Sequence, residues 1–218
     1  MKHIFFIFFA FVPFISKAQG SITMLDKPFN ISLAKDSEIL NPLKRTPAFN
    51  GLSTREQDVV YWVNVARLNP TKFYSDYIVP FVQQFPEAKG RAFNSLDKDI
   101  NAAKGLKALE PMEMLNSVAV GHAKEIVSGK TGFTHAAAGG KSFEQRMREA
   151  GISSCAAENL YEGKDDALVA VILLLIDKDV SGYGHRKVIL HPMFNTVGVS
   201  FLPSRTGNFI LVQDFSCK

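Results

Sequence analysis

Residues 155–163 read CAAENLYEG, and residues 184–215 read GHRKVILHPMFNTVGVSFLPSRTGNFILVQDF. Ala157 to Tyr161, Thr196 to Leu202 and Asn208 to Phe215 read as strands, and Ser204 to Gly207 as the hairpin joining the last two. Between the first and second strands lies Ala167 to Ile176, ten apolar residues in a row, with Asp165 and Asp166 as caps. That run is too short to span a bilayer, which takes about 20 residues, so it predicts a helix buried on most sides. Gly182 and Gly184 frame a turn before a short helix from about His185 to Leu190.

Upstream the pattern is helical. Ser53 and Glu56 form a capping box, and Val59, Trp62, Val63 and Ala66 follow at helical spacing. Pro70 ends or restarts that helix, 70–84 looks helical again, and 85–105 reads as a looser connection. Over 112–128, Leu115, Val118, Ala119, His122, Ala123 and Ile126 share one face, and Gly129 stops the helix. A Gly- and Ala-rich loop over 130–141 carries His135, and a short helix runs from a Ser142 cap to Glu149. Residues 19–52 show no sustained period and predict an extended arm or linker, with one domain over 53–218. Helices outnumber strands and the strands cluster late, which argues α+β, with helices covering a small antiparallel sheet.

The first 18 residues, MKHIFFIFFAFVPFISKA, have the n-region, apolar h-region and small-residue cleavage site of an export signal. An uncleaved anchor is the alternative. Cleavage removes Lys2 and Lys17, taking the formal charge from +4 to +2, and no long basic run remains. The electrostatic footprint of a nucleic-acid binder is missing, and no transmembrane segment is expected after the signal. Cys155 and Cys217 are an even pair in a chain bound for an oxidising space, so a disulfide is the natural reading, against two free thiols. The expected location is extracellular or periplasmic.

The familiar catalytic motifs are missing from the sequence: no HExxH, no GxSxG and no GxGxxG. Gly139-Gly140-Lys141-Ser142 resembles the tail of a P-loop, but His135 stands where such a loop needs glycine. What remains is a set of histidines. His122 lies on an apolar helix stripe and reads as a core residue; His191 precedes Pro192 and reads as a capping or surface residue. His135 and His185 sit in Gly-flanked segments where side chains can converge.

Several segments, in order, resemble the CAP superfamily of cysteine-rich secretory proteins, antigen 5 and plant pathogenesis-related proteins, in the style of its bacterial branch. They are EQDVVYWVNVARLNP (56–70), LKALEPMEMLNSVAVGHAKEI (106–126), GFTHAAAGGKSFEQRMREAG (132–151), CAAENLYEG (155–163) and GHRKVILHPMFNTVGVSF (184–201). The resemblance implies a three-layer α-β-α sandwich and a cleft with two histidines and two acidic residues. His135 and His185 match the histidines and Glu158 the first glutamate. The second glutamate is unmatched, and Asp177 and Asp179 are the nearest carboxylates.

Two imidazoles and a carboxylate suit an open Zn2+ site, so zinc is an optional ligand of His135 and His185 with Glu158 and no cofactor is required. The same three residues are the candidates for acid–base chemistry, and a buried polar network is the third reading. The resemblance implies a secreted, non-enzymatic protein that binds a lipid, a sterol or another extracellular protein. A water- or metal-assisted hydrolase of peptidase type, using the same cleft, is the alternative.

Overall fold

The alternation along the last two strands builds the architecture. In the computed structural model, which describes residues 27–32, 34–152 and 155–217, β3 (Thr196–Pro203) and β4 (Phe209–Ser216) form an antiparallel hairpin. β2 (Ala156–Gly163) pairs antiparallel with the other edge of β4 and sets Glu158 opposite Asp214. A two-residue strand, β1 (Glu110–Pro111), pairs in parallel with the start of β3, giving the order β1-β3-β4-β2. The antiparallel sheet expected from the sequence is therefore extended by one parallel pairing, too short to leave a period-2 pattern. The stretch read as an export signal lies outside the described residues. No described helix is long and apolar enough to cross a membrane.

Side chains alternate across a strand, so each face gathers its own core. Val197, Val199, Phe201, Leu211 and Phe215 pack with α3 (Thr54–Leu68) and α9 (Ala167–Ile176). Leu160, Ile210 and Val212 pack on the other side against Ala119, Ala123 and Ile126 of α7 (Glu113–Ser128). The result is an α+β, three-layer α-β-α sandwich. α9 is buried along its whole length, and Asp166 caps it by accepting from the Val169 amide at 3.0 Å. Buried Glu56, besides closing the α3 capping box, accepts from the Phe201 amide at 3.2 Å and ties the start of α3 to β3.

Two expectations need correction. The supposed arm carries α1 (Ser37–Lys44) and α2 (Pro47–Asn50), capped by Asp36 and Thr46; their Ile39, Leu43 and Phe49 are part of the core. Even Phe29, ahead of them, stands edge-on to Phe81 with ring centroids 5.3 Å apart. Helices of eight and four residues offer too few turns for an apolar period to show. The connection over 85–105 contains α6 (Arg91–Ala102), whose Ala92, Leu96 and Ile100 form a stripe of one buried residue every four. Between, α4 (Pro70–Phe73) and α5 (Val79–Gln84) are joined by a π-helical turn over Tyr74–Ile78, just before Pro80. Proline lacks the amide and crowds the carbonyl four residues back, and a wider turn relieves that conflict.

Cys155 and Cys217 are bonded, with Cα atoms 5.5 Å apart, closing β2 onto the end of β4. Loop-closure entropy for a separation of 62 residues amounts to about 4 kcal/mol.

α7 lies unusually close to the sheet, and Gly198 is why. A Cβ there would fall 2.1 Å from the Leu115 carbonyl carbon and 2.4 Å from the Asn116 nitrogen, both backbone atoms. Asn116 Oδ1 in turn accepts from the Val199 amide at 3.1 Å. Gly198→Ala is expected to push α7 off the sheet and cost about 2–3 kcal/mol, read as a lowered midpoint in urea; an unchanged midpoint would disprove this contact.

Candidate functional site

Glu158 is the centre of the site. Strand alternation points it toward the α7 side, where α8 (Phe143–Glu149) and the loop before it deliver two donors. Arg146 Nη2 donates to Glu158 Oε2 at 2.8 Å, and His135 Nδ1 meets Oε1 at 2.8 Å. The same Arg146 nitrogen donates to the His135 carbonyl at 3.0 Å, so one guanidinium holds both the acid and the loop that carries the histidine. α8 starts on a Ser142–Gln145 capping box, the ordinary role of the segment that resembled a P-loop. Glu158 and Arg146 are buried, whereas the His135 side chain keeps 27% of its surface in contact with solvent.

Asp214, across the ladder from Glu158, is wholly buried. Neither of its oxygens has a hydrogen-bond partner among the described residues, and the Glu158 carboxyl is its charged neighbour. Burial, reinforced by the Glu158 charge, pushes the Asp214 carboxyl well above the usual carboxylate range, against the pull of Arg146. A proton kept on Asp214 satisfies both observations.

His185 approaches β2 from the other helical layer. It opens α10 (Gly184–Ile189), and its carbonyl accepts from Asn159 Nδ2 at 3.3 Å. Its Nδ1 meets Asp177 Oδ1 at 2.7 Å, and its amide donates to Asp177 Oδ2 at 2.9 Å. Of the two carboxylates nearest the unmatched glutamate, buried Asp177 is the one that meets His185; Asp179 is exposed. Each of the two histidines commits Nδ1 to its own carboxylate, which leaves Nε2 as the nitrogen able to take a proton or a metal. The described residues contain no group of three His, Cys, Asp or Glu placed to hold a metal ion. His191, read as a capping or surface residue, accepts from the Met193 amide at 3.3 Å and packs on Phe194.

Three contributors were not assigned from sequence. Arg146 sits on a short polar helix with nothing to distinguish it from Arg148. Asp214 lies in a strand whose other residues announce only burial. His122, read as a satisfied core histidine, is satisfied on one side: Nε2 faces the Thr134 carbonyl at 2.8 Å, while buried Nδ1 has no partner. Burial holds its pKa below the ordinary histidine value.

Beside this network a groove of about 540 Å3 runs between α7 and α8. Met114, Val118 and Ala150 are among its apolar walls, and His122, Glu125 and Arg146 among its polar ones. Its size falls within the range of small-molecule sites.

A model of the CAP family, described as the cysteine-rich secretory protein family, matches residues 60–215. Among solved structures, the chain is similar to an outer surface protein of Borrelia burgdorferi at 21% identity, covering 56% of this chain and 89% of that one, with a TM-score of 0.45. It is similar to an extracellular protein containing an SCP domain from Bacillus anthracis at 21% identity, covering 61% and 41%, with a TM-score of 0.42. A cysteine-rich secretory protein from Staphylococcus aureus matches at 14% identity, covering 61% and 39%, with a TM-score of 0.38. The chain thus spans about two fifths of the last two proteins. No curated protein matches.

Two substitutions separate the roles of the buried acids. Glu158→Ala strands the Arg146 guanidinium in the interior, and the expected loss is about 3–5 kcal/mol, visible as a large drop in melting temperature; wild-type melting would refute a structural role for Glu158. Asp214 acts with the opposite sign. A carboxyl whose folded pKa is raised holds a proton that the unfolded chain releases above about pH 4. Its stabilisation is complete below the unfolded pKa and is lost as pH rises toward the folded one. Asp214→Asn keeps the neutral form at every pH, so melting temperature should fall less from pH 4 upward than in wild type. Parallel profiles would show that Asp214 does not carry that proton.

Proposed function

This chain belongs to the CAP family of cysteine-rich secretory proteins through residues 60–215, and from that premise we propose that it is an exported, non-enzymatic binding protein for a small amphipathic molecule of lipid or sterol type. The observation that carries the reading is the groove between α7 and α8, open in volume and mixed in chemistry. Apolar walls from Met114, Val118 and Ala150 suit a hydrocarbon body, and the polar groups that line the same groove suit a head group. The acid–base residues alongside are engaged with one another, both Glu158 oxygens receiving donors from Arg146 and His135; His185, in the other helical layer, holds Asp177. That is the condition of groups that brace a cleft. Export is supported by the signal-like pattern of residues 1–18 and by a disulfide that requires an oxidising compartment.

Gly121 offers a clean test. It lies on the exposed face of α7 in the groove, and a Cβ there would meet nothing within 4 Å. Gly121→Trp is expected to fill the groove without disturbing the core, and to remove lipids found by mass spectrometry on the purified wild-type protein. Unchanged melting with lost lipid supports the reading. Equal lipid on both proteins would place the ligand elsewhere, and hydrolysis of a peptide library that disappears in His135→Ala would favour the hydrolase instead.

A further inference from the structure

His122 and Glu125 pose a problem that the fold alone does not answer. They lie three apart on α7, so both side chains stand on one face of the helix. A backbone carbonyl can only accept, so the 2.8 Å contact with Thr134 fixes the proton of His122 on Nε2. The Glu158 carboxylate, 4.0 Å from the same nitrogen, agrees with that assignment. Nδ1 is then a bare lone pair. It is buried, it has no hydrogen-bond partner among the described residues, and it lies 3.8 Å from Glu125 Oε2.

A bare ring nitrogen and a carboxylate oxygen at this separation repel unless something positive lies between them. Glu125 is not free to turn away, since its Oε2 accepts from the Ala138 amide at 3.1 Å. Both residues line the α7–α8 groove, which gives access from solvent and room for water on the open side.

We propose that His122 Nδ1 and Glu125 form a divalent transition-metal site of the zinc type at the floor of this groove, with water completing the coordination. One imidazole nitrogen and one carboxylate oxygen are the donors zinc takes, and its bonds to them are about 2.0–2.2 Å. Two such ligands of one ion sit roughly 3–3.5 Å apart, so the 3.8 Å separation needs only a small closing movement of Glu125, which is half-buried. The Thr134 carbonyl behind Nε2 is the outer-shell partner that metal-bound histidines ordinarily have. The site is separate from Nε2 of His135 and of His185, and it does not depend on the groove holding a lipid.

Titration calorimetry with zinc at pH 7.5 on the full exported chain tests the assignment, using wild type, Glu125→Gln and His135→Ala. Glutamine keeps an oxygen for the Ala138 amide and removes the charge, so the fold is retained, which circular dichroism verifies. A zinc-binding event weakened at least tenfold in Glu125→Gln and unchanged in His135→Ala is the expected result. In wild type the same titration should move the His122 Nδ1 nitrogen resonance. Binding events identical in Glu125→Gln and wild type, or a His122 resonance indifferent to zinc, would overturn the site.

Discussion

Consecutive residues on a strand face opposite ways, and at Glu158-Asn159 that constraint divides the labour of the molecule. Glu158 turns toward α7 and α8 and gathers Arg146 and His135; Asn159 turns toward α9 and α10 and holds the His185 carbonyl and Gln213. A charged carboxylate buried at an edge strand costs several kcal/mol unless it is paired, so the elements that supply its partners must be in place together. The loop carrying His135 is long and rich in Gly and Ala. It becomes ordered because Arg146 binds its carbonyl and the acid at once, and because His122 and Glu125 bind its Thr134 carbonyl and Ala138 amide. The cleft and the fold on that side are one network.

The second helical layer uses the same physics with a different partner. Arg67 is fully buried, and donates to the carbonyls of Lys107, Ile189, His191 and Phe194 at 2.6–3.0 Å. Burial lowers its pKa to about 10, which still leaves it charged at neutral pH. Its charge is met by the partial negative charge of carbonyls at chain turns and at the end of α10. Arg186 does the equivalent for the ends of α9 and α6, through the carbonyls of Leu175, Ile176 and Ala92 and the Asp99 carboxylate. Two guanidiniums thus position the loops around His185.

How far the sequence is legible follows from how each element earns its stability. α3, α7, α9 and the final hairpin carry long periods or strong caps, and they appear where the pattern puts them. α1, α2 and α6 are short or sparsely apolar; they fold because the core presents them with a surface, a tertiary effect with little local trace. The same split runs through the site. His135, Glu158 and His185 were marked by their setting and by resemblance. Arg146 and Asp214 were not, because a buried arginine or aspartate is distinguished by what lies opposite it, and that pairing is set by β2–β4 register and the placement of α8.

Asp177 joins two helices and a histidine through one side chain. It is the C-cap of α9, in the left-handed region at φ 55°, a conformation that short polar side chains tolerate best. From there one oxygen takes the His185 and Arg186 amides at the start of α10 and the other takes His185 Nδ1. The turn that ends one helix therefore starts the next and fixes the imidazole on it. A carboxylate one methylene shorter than glutamate reaches the histidine because the backbone has turned toward it. Asparagine would tolerate the same φ and could still accept from the amides. Its Nδ2 would stand where a carboxylate oxygen now meets the ring, so what aspartate adds at this position is a second oxygen that holds His185 Nδ1.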